Sequence, residues 1–191
     1  MKTFTFDTNC IIDIADQRPP AAFVNAIIEA HRDGRAKAAF VAVSASERQR
    51  SDYYLPTFEI FQERLRKLEI DDIPYICGLG YYEISYWDHA IFSSEVAILR
   101  EREIHDILFP NIGFVLADFA RAKGIDGLRW DSKHARKWRN AWCDRQMIWA
   151  HDNAARDIFV TSDRNFQKLN GKPNFSNIKV CTPEEASILL L

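Results

Sequence analysis

The chain has 191 residues, 47% of them hydrophobic and 27% charged. That is enough to bury the core of one domain, so wholesale disorder is excluded. Its 25 Lys and Arg against 27 Asp and Glu give a formal net charge of -2, so there is no global basic field, and any nucleic-acid partner must be held by a local patch.

Residues 3–6 are short, apolar and β-prone, and run into Asp7-Thr8-Asn9, which are turn and N-cap residues. Cys10-Ile11-Ile12 then opens a short helix. Pro19-Pro20 start a second, 21–31, in which Phe23, Ile27 and Ile28 recur at helical spacing before Gly34. Residues 38–43 read as a second strand, and 44–50 as the start of a further helix. In the middle of the chain Phe58, Phe61, Leu65 and Leu68 share a helical face. Asp71-Asp72-Ile73-Pro74 breaks that helix, and 93–107 form another. Residues 53–110 are therefore expected to be a helical insertion in a single domain spanning 1–191.

Residues 114–123 are helical, punctuated by Gly124 and Gly127. Residues 138–155 lack Gly and Pro and predict one long helix. Residues 157–161 and 178–181 read as strands. Thr182-Pro183-Glu184-Glu185 is a capping box with proline at the first helical position. Strands separated by helices predict an α/β domain with a mainly parallel sheet covered on both faces.

No apolar segment suits a signal peptide or a membrane span. Asp7 interrupts the start of the chain, and the longest uncharged, fairly apolar run is 73–82. The expectation is a cytoplasmic protein without a membrane partner. Cys10, Cys77, Cys143 and Cys181 are scattered without zinc-ligand spacing and read as reduced thiols.

The chemistry is carried by acids. Asp7 and Asp163 each follow an apolar strand, and would converge at the C-terminal edge of a parallel sheet if their strands were neighbours. Glu47 follows the second strand, in the first turn of the expected helix. Asp144 shares a helical face with Ile148, His151 and Ala155, which points it inward. Four inward carboxylates repel one another, and a hard divalent cation resolves that conflict. Such an ion could bind phosphate, activate water and stabilise a leaving oxygen, which implies phosphodiester hydrolysis. Each acid also has a plainer role open to it: an Asx turn at Asp7, a Ser44-x-x-Glu47 capping box, a solvated carboxylate at Asp144, a turn cap at Asp163.

The set Phe6-Asp7-Thr8-Asn9, Ser46-Glu47, Asp144 with Ile148 and Ala150, and Val160-Thr161-Ser162-Asp163-Arg164-Asn165-Phe166 resembles the PIN-domain ribonucleases, as does Val180-Cys181-Thr182-Pro183-Glu184-Glu185. The resemblance spans roughly 1–51 and 111–191. It implies a PIN-like parallel sheet flanked by helices and a Mg²⁺- or Mn²⁺-dependent nuclease. Asp7, Glu47, Asp144 and Asp163 take the four acidic, metal-binding positions, with Thr161 and Asn9 in supporting ones. Asp52 and Asp152 are rival acids for the two middle positions.

Between 129 and 145 the basic residues Arg129, Lys133, Arg136, Lys137, Arg139 and Arg145 are interleaved with Trp130, Trp138 and Trp142. Basic side chains grip phosphates and indoles stack on bases, so this run could feed RNA, single-stranded or structured, toward Asp144. Trp138, Trp142, Arg145 and Trp149 also fit one helical core stripe, and the charges an ordinary solvated face. Arg32, Arg35, Lys37, Arg48 and Arg50 form a second basic cluster. A toxin-type ribonuclease would bring a protein inhibitor as partner, and a homodimer is also open. The alternatives to a nuclease are a catalytically weak or inactive module binding RNA or protein, and an aspartyl-type phosphatase. The latter would want a second acid where Asn9 stands.

Overall fold

In the computed structural model, residues 1–47 and 53–190 are described. The chain opens with β1 (Thr3–Phe6), α1 (Thr8–Ala15), α2 (Ala21–Arg32) and β2 (Lys37–Val41). Next come α3 (Phe58–Lys67), three two-residue strands, β3 (Tyr75–Ile76), β4 (Gly78–Leu79) and β5 (Ala90–Ile91), then α4 (Glu95–Leu108) and α5 (Leu116–Lys123). The last part is α6 (Arg136–Asn153), β6 (Ile158–Val160), β7 (Lys179–Cys181) and α7 (Pro183–Ile188). The expected capping box is present at Thr182 and Glu185.

Five strands form one parallel sheet in the order β3-β2-β1-β6-β7. Strand alternation divides the core into two layers. Phe4, Phe6, Phe40, Ile158 and Val160 face α1, α2, α3 and α7. Val41, Phe159 and Val180 face α4, α5 and α6. Among the described residues no helix is long and apolar enough to cross a membrane. The four cysteines are free.

Two expectations change. The segment 53–110 is not purely helical. Its β3 pairs with β2 through Phe40↔Tyr75 and Val41↔Ile76 and forms an edge of the sheet, while β4 and β5 make a small sheet of their own. Phe58, Phe61 and Leu65 of α3 belong to the same core layer as β1. Two-residue strands carry no periodicity, which hides them in the sequence. The second change is at the end of β2. The strand stops at Val41, and Ala42–Ser46 form a wholly buried 3-10 turn. Glu47 follows it in extended conformation rather than in the first turn of a helix. The rest of the expected helix, 48–50, lies outside the described residues, as do Asp52, Arg48 and Arg50.

Candidate functional site

β1 has β2 on one side and β6 on the other, so the sheet reverses its winding between β1 and β6. Open α/β sheets bind ligands beyond the strand ends at such a point. Asp7 leaves β1 there, its N–H donating to Val160 O at 3.0 Å. It occupies the N-cap position of α1 without a side-chain capping bond. Its Oδ2 instead accepts from Thr161 Oγ1 at 2.6 Å and Asn9 Nδ2 at 2.9 Å. Asp7 is buried. Burial pushes its carboxyl up to about 6; hydrogen bonds from Thr161, the Thr8 amide and Asn9 oppose the rise, and the charge of Asp163 adds to it.

Thr161 also accepts the backbone N–H of Asp163 at 2.9 Å. Asp163 does have the capping role open to it from the sequence: its Oδ1 accepts from Asn165 N at 2.8 Å at the head of the turn Arg164–Leu169.

Glu47 does not form the capping box its spacing suggested. Its Oε1 accepts from Thr8 Oγ1 at 2.7 Å, and Thr8 Oγ1 lies 2.8 Å from Ser44 Oγ. Burial and then the charge of Asp7 push Glu47 up to about 8, against the Thr8 bond and the charges of Arg64 and Arg139. From sequence Thr8 reads only as a turn or N-cap residue. Its only mark was its place between Asp7 and Asn9.

The Asp144 carboxylate makes no hydrogen bond among the described residues. Its carboxyl stands well above the usual range, first through burial and then through the charges of Glu47, Asp7 and Asp163. Asp144 thus lies in the fields of the other three acids, Glu47 in that of Asp7, and Asp7 in that of Asp163. The four are not gathered into a ligand shell: among the described residues, no group of three or more His, Cys, Asp or Glu is placed to hold a metal ion. The rival Asp152 is engaged elsewhere, with Arg100 Nε at 2.7 Å and Asn177 Nδ2 at 2.8 Å.

The basic run divides. Arg139 and Arg145, expected to touch nucleic acid, are 1% and 0% exposed. Arg139 lies among the rings of Tyr54, Trp130 and Trp142, its Cζ 4.8–4.9 Å from their centroids, and its Nη2 donates to Ser46 O at 2.7 Å. It therefore anchors the residue before Glu47. Arg145 pairs with buried Glu101 at 2.6 Å. Trp138, Trp142 and Trp149 are core residues, so α6 offers no indole to a base. Arg129, Lys133, Arg136 and Lys137 are exposed, with Arg129 paired to Asp131. In the second cluster Arg32 pairs with Asp72 and Glu29, and Arg35 with Asp33. Comparison of the chain with protein-family models and with curated proteins found no match.

Proposed function

We propose that the protein is a Mg²⁺- or Mn²⁺-dependent endonuclease that hydrolyses phosphodiester bonds in RNA. The observation behind this reading is the set of Asp7, Glu47, Asp144 and Asp163, whose charges act on one another at the switch point of the sheet. Acids with raised proton affinities, as at Asp7, Glu47 and Asp144, are typical of functional sites. The donor chemistry fits the ion: these are hard carboxylate oxygens, with no sulfur or imidazole among them. Asp7, Asp144 and Asp163 would hold it, with Glu47 as ligand or water-positioning base. When bound, a divalent ion supplies charge neutralisation, water activation and stabilisation of the leaving oxygen. Thr161 and Asn9 hold Asp7 in one orientation, and Thr8 does the same for Glu47. The resemblance to PIN-domain ribonucleases supports the same reading.

One observation favours a second reading, a catalytically weak RNA-binding module. As the side chains stand, no three of the acids form a coordinating group, so metal binding requires side-chain movement. Incubation of labelled single-stranded RNA with wild type and Mn²⁺, wild type and EDTA, and Asp163→Asn with Mn²⁺ separates the two. The nuclease reading expects products only in the first. Binding without products in any lane favours the module.

A further inference from the structure

Four carboxylates repel the polyanion they are proposed to cut, so an RNA strand needs a cation on its approach. The exposed basic side chains can be sorted by what they already hold. Arg129 is committed to Asp131, and Arg139 and Arg145 lie inside the core. The Lys137 side chain is exposed and makes neither ion pair nor hydrogen bond among the described residues.

Its place on α6 is specific. At 3.6 residues per turn, positions 137, 140 and 144 fall within about 60° of arc. That face is buried at Ile148 and His151, partly buried at Asp144, and exposed at Asn140 and Lys137. The helix thus emerges from the core at the proposed metal ligand and continues outward as a polar stripe about 10 Å long at 1.5 Å per residue. Trp138 and Trp142, buried off this stripe, fix the helix in the core, and Trp138 Nε1 donates to Phe114 O at 3.3 Å. A stripe on a packed helix holds its groups more firmly than a loop does. Arg164, exposed next to Asp163, is a further cation without an ion pair among the described residues, but it sits on a turn.

We propose that Lys137 and Asn140 form a backbone track along α6, in which Lys137 binds the phosphate next along the strand from the scissile one and Asn140 hydrogen-bonds the sugar between them. The inference rests on the nuclease reading for the direction of the track. Because α6 exposes no indole, the contact carries no base preference.

The test is fluorescence anisotropy of a labelled single-stranded RNA on the Asp163→Asn protein, with and without Lys137→Ala, across a salt series and several sequences. The expected result is a several-fold loss of affinity that is uniform over sequences, with the log–log salt slope shallower by about 0.7. Lys137→Arg should restore it, and Lys123→Ala on α5 should match the parent. Asn140→Ala should weaken binding with the slope unchanged. In cleavage assays Lys137→Ala should raise KM more than it lowers kcat. An unchanged slope and KM in a wild type that cleaves RNA overturns the track and leaves the nuclease reading standing, and a loss confined to particular sequences overturns it as well. A Lys137-dependent slope in a protein that cleaves nothing keeps the phosphate contact and overturns the nuclease reading.

Discussion

The hydroxyl of Thr161 donates to Oδ2 of Asp7 at 2.6 Å, across the β1–β6 boundary, and the hydroxyl oxygen itself accepts the N–H of Asp163 at 2.9 Å. One hydroxyl therefore orients two acids carried by adjacent strands. Valine has the same shape and can do neither. Thr161→Val should cost about 1–3 kcal/mol, because buried polar groups lose their partner. It should also push the Asp7 carboxyl further above about 6 and lower RNA cleavage at least tenfold. Thr161→Ser should stay close to wild type. Urea unfolding and a cleavage assay check both; wild-type behaviour of the valine variant in each would contradict the role given to Thr161.

The acids carry a stability signature independent of activity. Asp7 is raised from 3.8 to about 6 and Glu47 from 4.5 to about 8. For such groups the folded state holds the proton more tightly than the unfolded state. Their contribution is fully present below the unfolded value and lost as pH rises through the folded one. For buried Asp7 the loss is about 3 kcal/mol between pH 4 and 6. Asp144→Asn should therefore raise the Tm of the metal-free protein by several degrees at pH 8, with the gain shrinking toward pH 4. Mn²⁺ should raise the wild-type Tm at pH 8 and should do much less for Asp144→Asn. Scanning fluorimetry reads both, and a wild-type Tm indifferent to millimolar Mn²⁺ would count against a metal site.

Residues that announce themselves by local pattern were legible in the sequence. Asp7 and Asp163 stand where apolar strands end, and the inward face of Asp144 follows from Ile148 and His151 one and two turns on. The adjacency of β1 and β6, on which their convergence depends, is not written in either strand, because pairing order is a property of the whole sheet. Glu47 was misplaced because Ser44-x-x-Glu47 mimics a capping box, whereas buried Ala42, Val43 and Ala45 draw that stretch into a tight turn. Arg139 and Arg145 looked like surface charges because charged residues are rarely buried unpaired. Their compensation comes chiefly from Tyr54 and Glu101, both distant in sequence.

Glu101 and Arg145 test that compensation. Both are fully buried. Glu101 Oε1 accepts from Arg145 Nε at 2.6 Å and Gln146 Nε2 at 2.7 Å, and its Oε2 accepts from Tyr81 OH at 2.6 Å. Arg145 Nη1 lies 3.1 Å from His105 Nδ1, which must then be the acceptor, leaving Nε2–H to donate to Ile112 O at 2.7 Å. Glu101→Ala should cost about 3–5 kcal/mol by stranding a buried guanidinium. Glu101→Leu combined with Arg145→Met should lose less than the sum of the two single changes. Denaturant unfolding in a double-mutant cycle measures this, and additive losses would show the pair to be uncoupled.

His151 gives the opposite pH dependence. It is fully buried, with Nδ1 2.8 Å from Thr5 Oγ1, its ring edge-on to Phe159, and Nε2 without a hydrogen-bond partner among the described residues. Burial, and then the charge of Arg156, lowers it from 6.5 to about 4. A depressed histidine is protonated more readily in the unfolded chain. Its contribution is therefore full above pH 6.5 and falls away as pH drops toward 4, by about 3 kcal/mol. In the same interval Asp7 gains stability as pH falls, so the wild-type curve combines two opposed slopes. The difference between wild type and His151→Gln isolates the histidine. The variant should be less stable at pH 7.5, because glutamine does not fill the ring's place against Phe159, and the gap should narrow from pH 6.5 to 4. A gap that stays constant over that interval would mean that His151 does not carry the proton linkage assigned to it.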